Sequence, residues 1–144
     1  MGYKVFGNTV IIRVEMGNEI ISTIISVCEK EGITGAHFTG IGATDYARFG
    51  AGNEIEGNYV VSEINEKMEI LNITGDISMK EGKCLPHVHI IMAGQGGSPI
   101  VGGHLEEAKV FGTCNIYLTK LDGTLERTLY PESYPGHEWW FLNI

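Results

Sequence analysis

Three of the five histidines in this chain lie close together, between positions 85 and 105. His87 and His89 are two residues apart in a segment with strand character, so both imidazoles leave the same face, roughly 6.5 Å apart along the backbone. His104 follows the turn-forming run GQGGSP at residues 94–99, which favours a chain that folds back beside its own start. The spacing therefore predicts three imidazoles that converge.

Three neutral imidazoles are a donor set that suits zinc. In sites with three protein ligands, zinc keeps a fourth position open, which is the arrangement of catalytic rather than structural ions. Nickel, iron and copper also accept nitrogen ligands. We predict a divalent metal ion held by His87, His89 and His104, with zinc as the preferred ion. The alternative is a hydrogen-bonded histidine cluster.

The surrounding residues do not identify a reaction, so enzyme activity stays open at this point. A metal ion makes hydrolysis or hydration chemically available, and the nearest candidates for a general acid or base are Glu69, Glu106 and Glu107. Each of these carboxylates is also consistent with a solvated strand end. His37 is a further candidate for a pocket, although a partly buried strand histidine is the simpler interpretation.

Composition limits the class of protein. The 144 residues are 43% hydrophobic, which is enough for one core. We predict a single domain over residues 1–130, followed by an aromatic tail at 131–144 that packs on the domain or on a neighbouring subunit. The net charge of −8 and the three arginines weigh against tight binding to a phosphate backbone. No apolar run approaches the ~20 residues of a membrane helix.

The cysteines argue against a disulfide framework. Cys28, Cys84 and Cys114 are odd in number, widely spaced and free of a CxxC pair, which favours a reducing compartment such as the cytoplasm. Cys28 and Cys114 are interpreted as small core residues. Cys84 has the opposite strand parity to the paired histidines, which excludes it as a further metal ligand.

One segment has a clear helical pattern. The helix is predicted to begin at Glu19, with Asn18 as its N-cap, and to end at Gly32. Its apolar positions recur at helical spacing: Ile20, Ile21, Ile24, Ile25 and Cys28.

The rest of the chain is mostly strand-like. Strands are predicted over residues 10–15, 33–40, 45–49, 58–64, 68–78, 85–93 and 110–120. The glycines at 40–42 indicate a sharp turn between two of them. These elements predict an α+β fold, mainly an antiparallel sheet packed against one main helix.

Five segments together resemble a known family. They are HVHIIMAG, IVGGHLEEAKV, MEILNITGDIS, FTGIGATDYARFG and VIIRVEMGNEIISTI, which cover about residues 10–120. Their ordered combination resembles the PPC domain (plants and prokaryotes conserved domain, DUF296), in its free-standing prokaryotic form. One departure is Ala108, where the family usually has glycine.

The resemblance implies a homotrimeric α+β domain. Some free-standing members resemble metalloproteins at three histidines that match His87, His89 and His104. The plant relatives are nuclear DNA-binding proteins whose AT-hooks precede the domain, and this chain has no Arg-Gly-Arg core of such a hook.

Three functions follow as hypotheses. The first is a cytoplasmic trimer whose metal site binds a small ligand or supports an unassigned reaction. The second is a DNA-binding or transcription-regulating protein in which the domain mediates trimerisation and partner binding. The third is an assembly module whose tail aromatics bury against a neighbour.

Overall fold

An antiparallel sheet and one helix form the architecture in the computed structural model, which describes residues 2–53, 58–130 and 139–144. The elements in chain order are β1 (Gly2–Phe6), β2 (Thr9–Val14), α1 (Ile20–Glu31), β3 (Ala36–Asn53), β4 (Asn58–Ile64), β5 (Met68–Lys80), β6 (Lys83–Ala93), β7 (Ile100–Lys120), β8 (Arg127–Leu129) and β9 (Trp140–Leu142). The predicted α+β class with one main helix and a mainly antiparallel sheet is confirmed.

The main sheet has seven strands in the order β1-β2-β7-β6-β5-β3-β4, and β7 pairs additionally with β3. The 21-residue strand β7 is long enough to have three partners. Its residues 100–104 pair with β6, its residues 114–119 pair with β2, and residues between 104 and 120 pair with β3. The pairings β7–β6–β5–β3–β7 therefore close on themselves. The sheet curves around its own apolar face, and a separate pair, β8 and β9, lies beside it.

The start of α1 depends on a charged cap. Glu19, not Asn18, occupies the N-cap, and its carboxylate accepts hydrogen bonds from the backbone N–H groups of Ile21 at 2.9 Å and Ser22 at 2.6 Å. The same carboxylate accepts from Ala108 N on β7 at 3.3 Å. The predicted Asn18 cap is wrong because the longer, charged side chain reaches both the helix N-terminus and the sheet. Ala108 is a buried residue inside a strand.

The core lies between the inner sheet face and α1. The helix buries one stripe of side chains, consisting of Ile20, Thr23, Ile24, Val27 and Cys28. Sheet residues in the same core cluster are fully or almost fully buried, including Val10, Ile12, Phe38, Ile73, Ile77, Val88, Ile90, Leu105, Ile116 and Leu118. Cys28 and Cys114 are 0% exposed, which confirms their interpretation as core residues.

The turn predicted at residues 40–42 is wrong. Gly40 and Gly42 lie inside β3, where a β-bulge separates them. A Cβ on Gly40 would meet Asn115 O, and one on Gly42 would meet the backbone of Thr113. The glycines therefore allow β3 to lie against β7 at close range, and they do not reverse the chain.

Other strand predictions differ in extent. Residues 58–64 match β4, whereas the predicted strands at 33–40 and 45–49 belong to the single strand β3. The prediction at 110–120 covers only the second half of β7, and β1, β8 and β9 were not predicted. Among the described residues, no helix is long and apolar enough to cross a membrane.

The predicted aromatic tail lies partly outside the described residues, which omit 131–138. Within 139–144, β9 pairs with β8, and the Lys80 ammonium lies 3.9 Å from the centre of the Trp140 ring. Trp139 and Phe141 remain about half exposed, at 52% and 47%. The domain boundary at residue 130 stays a prediction.

Candidate metal centre

Three imidazoles lie together on the outer face of the β6–β7 hairpin. His89 and His104 are directly opposed in the antiparallel register, and His87 lies two residues before His89 on β6. The ring centroids are 5.2 Å apart for His87 and His89, 5.3 Å for His87 and His104, and 5.6 Å for His89 and His104. One ligating nitrogen from each ring lies within 4.8 Å of the others. The predicted convergence is present in the fold.

These distances fit a divalent cation after small side-chain rotations. Zinc binds imidazole nitrogen at about 2.0–2.1 Å, so tetrahedral ligand atoms lie about 3.4 Å from one another. The His87 side chain is 43% exposed, so its ring has room to turn. Because all three nitrogen donors would lie on the protein side of an ion bound here, its coordination position toward solvent would stay open.

The surroundings of two imidazoles in the cluster favour their neutral form. Burial lowers the pKa of His89, and the nearby His87 lowers it further. Burial also lowers the pKa of His104, as do His87 and His89, whereas Glu106 acts in the opposite direction. A metal binds the deprotonated nitrogen, so depressed pKa values leave lone pairs available near neutral pH.

Local sequence explains why the hairpin closes. Gly94 N donates to Pro99 O at 2.9 Å and Gly97 N donates to Gly94 O at 2.9 Å, which turns the chain between β6 and β7. A Cβ at Gly102 would collide with the backbone of Ile90, and one at Gly103 would collide with Gly50 O. These glycines allow β7 to fit between β6 and β3, which sets the position of His104.

A carboxylate stands behind the cluster. Asp76 on β5 is the Cα partner of His87, and its Oδ2 lies 3.7 Å from His87 Nδ1. Arg127 Nη2 donates to both oxygens of Asp76, at 2.7 and 2.9 Å. Burial alone would raise the pKa of Asp76, but the nearby His87 ring and the hydrogen bonds and charge of Arg127 lower it overall. Asp76 is therefore an anion that faces a potential ligand.

Sequence reasoning missed Asp76 and Arg127. The available signals were an acid between apolar residues near the end of the segment at residues 68–78 and the scarcity of arginine. Neither signal specifies a partner, because the β5–β6 register and the position of β8 arise only from the assembled sheet.

Tyr59 on β4 is a second residue that the sequence did not reveal. Its ring centroid lies 6.4 Å from that of His104, in an edge-on arrangement. The ring also covers Gly50, where a Cβ would collide with the phenol. Burial raises the pKa of Tyr59, with a further contribution from Glu106, so its hydroxyl stays protonated.

The predicted pocket residues have different positions. Glu106 forms an ion pair with Arg48 and acts electrostatically on His104. Glu69 pairs in register with Ala93, four residues beyond His89 on β6, or about 13 Å along the strand. There it lines a separate cavity of about 430 Å³.

Two further candidates stand apart from the three-histidine cluster. His37 on β3 is exposed, so its interpretation as a partly buried histidine is wrong. Its Cα partner is Asp76, which places it one strand further from the cluster than β5. Glu107 is the Cα partner of Arg48 on β3.

Cys84 lies on the helix side of β6. It packs against the buried core, and its thiol contacts that of Cys28 on α1. The parity argument is therefore confirmed, because Cys84 points away from the face that carries the histidines.

Comparisons with known proteins place the chain beside a family model and several solved structures. The family model of the Plants and Prokaryotes Conserved (PCC) domain matches residues 1–122. Among curated proteins, none matches this chain.

Solved structures resemble the chain over almost its whole length. A metal-containing protein from Archaeoglobus fulgidus is 30% identical, with a TM-score of 0.82 and coverage of 97% of this chain and 96% of that one. A plant- and prokaryote-conserved (PPC) protein from Pyrococcus horikoshii is also 30% identical, with a TM-score of 0.80 and coverage of 97% and 94%. A candidate DNA-binding protein from Bacteroides thetaiotaomicron is 27% identical, with a TM-score of 0.87 and coverage of 97% and 96%.

Proposed function

This chain belongs to the Plants and Prokaryotes Conserved domain family, and from that premise we propose that it is a metal-binding protein whose site takes a small ligand. His87, His89 and His104 hold one divalent ion, with zinc preferred. The observation that carries the proposal is the approach of three ligating nitrogens to within 4.8 Å. The metal-containing relative from Archaeoglobus fulgidus adds support.

The residues fit an ion better than a purely structural cluster. A structural histidine is normally tied to hydrogen-bond acceptors, whereas these rings face one another and two of them have depressed pKa values. Asp76 supplies a carboxylate 3.7 Å behind Nδ1 of His87, which is close to the common arrangement in which a ligating histidine donates its other N–H to an acid.

The chemistry of the site follows from its open side. A divalent ion with three protein ligands polarises a carbonyl or phosphoryl oxygen that enters the free position. Tyr59 remains protonated beside His104 and can donate a hydrogen bond to such an oxygen. These features favour a small anionic or carbonyl-bearing ligand, and they do not assign a reaction.

We also propose that the protein is a homotrimer in the cytoplasm. Exposed apolar side chains on the sheet support self-association: Ile41 is 60% exposed, Leu71 is 49% exposed and Ile91 is 42% exposed. Light scattering in solution should give three times the chain mass of 15.8 kDa. A monomer at micromolar concentration would contradict this part of the proposal.

Elemental analysis tests the metal site directly. Protein purified without chelator should contain close to one zinc per chain, and His89→Ala should lose it. His37→Ala is the matched control, because it removes an exposed strand histidine outside the three-histidine cluster. Zinc at 100 times its Kd should raise the unfolding free energy by about 2.7 kcal/mol. A wild-type protein without metal affinity would refute the proposal.

DNA binding is the second candidate function, favoured by the relative from Bacteroides thetaiotaomicron. The charges oppose it. Besides the net charge of −8, every arginine is engaged with an acid: Arg13 with Glu15, Arg48 with Glu106 and Arg127 with Asp76. Phosphate contacts made by these arginines would have to break the pairs.

Salt titration tests this alternative. Binding through several phosphate contacts must weaken steeply between 50 and 200 mM salt, by about 10³-fold or more for six contacts. We expect no measurable binding to duplex DNA even at low salt. A steep salt dependence of real binding would establish the alternative.

A further inference from the structure

The strongest unassigned feature is a hydrogen-bonded network that reaches from the C-terminal strands to Asp76, which lies beside His87. Its central residue is Arg127 on β8, whose side chain is only 9% exposed. Each of its three nitrogens has a partner: Nε donates to Ser78 Oγ at 2.8 Å, Nη1 donates to Trp140 O at 3.0 Å and Nη2 donates to Asp76. The guanidinium is thereby fixed in one orientation.

Asp76 is held in turn by this guanidinium. Both carboxylate oxygens accept from Nη2 of Arg127, at 2.7 and 2.9 Å. Charge-assisted bonds of this kind are about twice as strong as neutral ones. The side chain of Asp76 is 26% exposed, so water competes only partly for the carboxylate. Asp76 therefore has little freedom to turn away from β6.

Beyond its bonds to Arg127, the Asp76 carboxylate faces the His87 ring. Asp76 Oδ2 lies 3.7 Å from Nδ1 of the His87 ring, which is slightly longer than a hydrogen bond. A small rotation of the exposed His87 ring brings the two atoms into bonding range. With the Nδ1 proton directed at Asp76, the lone pair on Nε2 is left for a metal ion.

We infer that Asp76 and Arg127 form a positioning pair that fixes the tautomer and orientation of His87. The inference rests on the metal site proposed above. It adds a role for a residue beyond the matched family region, since Arg127 follows residues 1–122. The C-terminal strands thus support the site although they contribute no ligand to it.

Zinc affinity provides the first test. Competition with a chromophoric chelator should show a Kd for Asp76→Asn that is about 10–100-fold weaker than that of the wild type. Arg127→Lys keeps the charge but loses the planar fork, so we expect roughly a tenfold loss. Arg13→Lys is the matched control, because Arg13 pairs with Glu15 at an exposed position, and its Kd should change less than about twofold.

Nitrogen NMR of the metal-free protein provides a second test. Its decisive measurement is made on the wild type, so it does not depend on any variant folding. At pH 8 the His87 ring should carry its proton on Nδ1, and Asp76→Asn should lose this preference. A wild-type ring protonated mainly on Nε2 would overturn the inference.

The two tests separate this inference from the proposed function. If the wild type binds zinc and Asp76→Asn binds it equally well, the positioning role is wrong and the metal site stands. If the wild type binds no zinc, the proposed function fails, and the positioning role for a metal ligand fails with it.

Discussion

The two faces of β6 differ in environment although they alternate residue by residue. His87 and His89 leave the outer face, where solvent reaches them. Val88 and Ile90 point inward and are 1% and 4% exposed, and Cys84 contacts the helix. The outer face carries the groups that can do chemistry, whereas the inner face carries the packing.

Because of this difference, single substitutions at adjacent positions of β6 should change either metal binding or the free energy of unfolding, but not both. A strand whose side chains alternate at a period of two can change one face without moving the other. The separation should fail only where a residue serves both faces, as at the glycines that set the spacing between strands.

The largest effect is expected for Ile90→Ala on the inner face. Loss of a buried isoleucine side chain should lower the free energy of unfolding by about 2–5 kcal/mol, because the core cannot collapse fully around the cavity. Chemical denaturation measures this change. The folded fraction should still bind one zinc per chain.

His89→Ala is the reciprocal variant. It should abolish zinc binding while changing the unfolding free energy of the metal-free protein by less than about 0.5 kcal/mol, as expected for an exposed side chain. If Ile90→Ala also lost zinc at full folding, the two faces would be coupled and the comparison would fail.

A substitution between the strands should affect both properties. Gly103→Ala places a methyl group against Gly50 O, so β7 must move away from β3 and carry His104 with it. We expect a destabilisation of about 1–3 kcal/mol, measured by denaturation, and weaker zinc binding, measured by competition.

Gly52→Ala is the matched control on β3. A Cβ there meets nothing within 4 Å and the backbone needs no positive φ, so stability should stay the same or rise by up to about 1 kcal/mol. Equal losses in the two variants would show that glycine itself, and not the close approach, is responsible.

Much of the fold followed from sequence patterns because the patterns are local. The helix stripe, the end of α1 at Gly32, the alternation of β6 and the bounds of β4 depend on neighbouring residues alone. The merging of residues 33–40 and 45–49 into β3 did not follow, because glycines that permit close packing resemble glycines that make turns. The difference depends on β7, which lies about 70 residues away in the chain.

The three cysteine thiols provide a further test of the difference between the outer and inner faces. A hydrogen bond from Cys28 lowers the pKa of Cys84, whereas the same contact and burial raise the pKa of Cys28. Burial raises the pKa of Cys114 to about 12. Since the thiolate is the nucleophile, iodoacetamide at pH 8 should label Cys84 first.

Mass spectrometry of labelled peptides measures the order. The rate at Cys84 should level off at a lower pH than for an ordinary thiol, and Cys84→Ser should leave native protein almost unlabelled. Labelling of Cys114 in native protein as fast as Cys84 would contradict the assignment of Cys114 to the closed inner face.

The three-histidine site was predictable only in part because, as with β3, some of its contacts are made between distant strands. His87, His89 and His104 lie on one hairpin, so short-range register brings them together. Asp76, Tyr59 and Arg127 come from three other strands, and their approach depends on how the whole sheet curves. The position of Glu69 in the segment MEILNITGDIS was misleading, because β5 pairs it with Ala93 at the far end of β6.

The smallest effects should distinguish Glu106 from Glu69, two of the three glutamates that were candidates for the site. Glu106→Gln removes a negative charge that acts on His104, so zinc affinity should fall by about 1.5- to 5-fold, the range of a partly exposed charge pair. Glu69→Gln should leave the Kd unchanged within about 1.5-fold, because the position is about 13 Å from His89 along the strand. Both constants come from the same chelator competition, ideally at two salt concentrations, since the Glu106 effect should shrink with screening. A larger loss for Glu69→Gln than for Glu106→Gln would mean that the cavity lined by Glu69, and not the three-histidine face, controls metal binding.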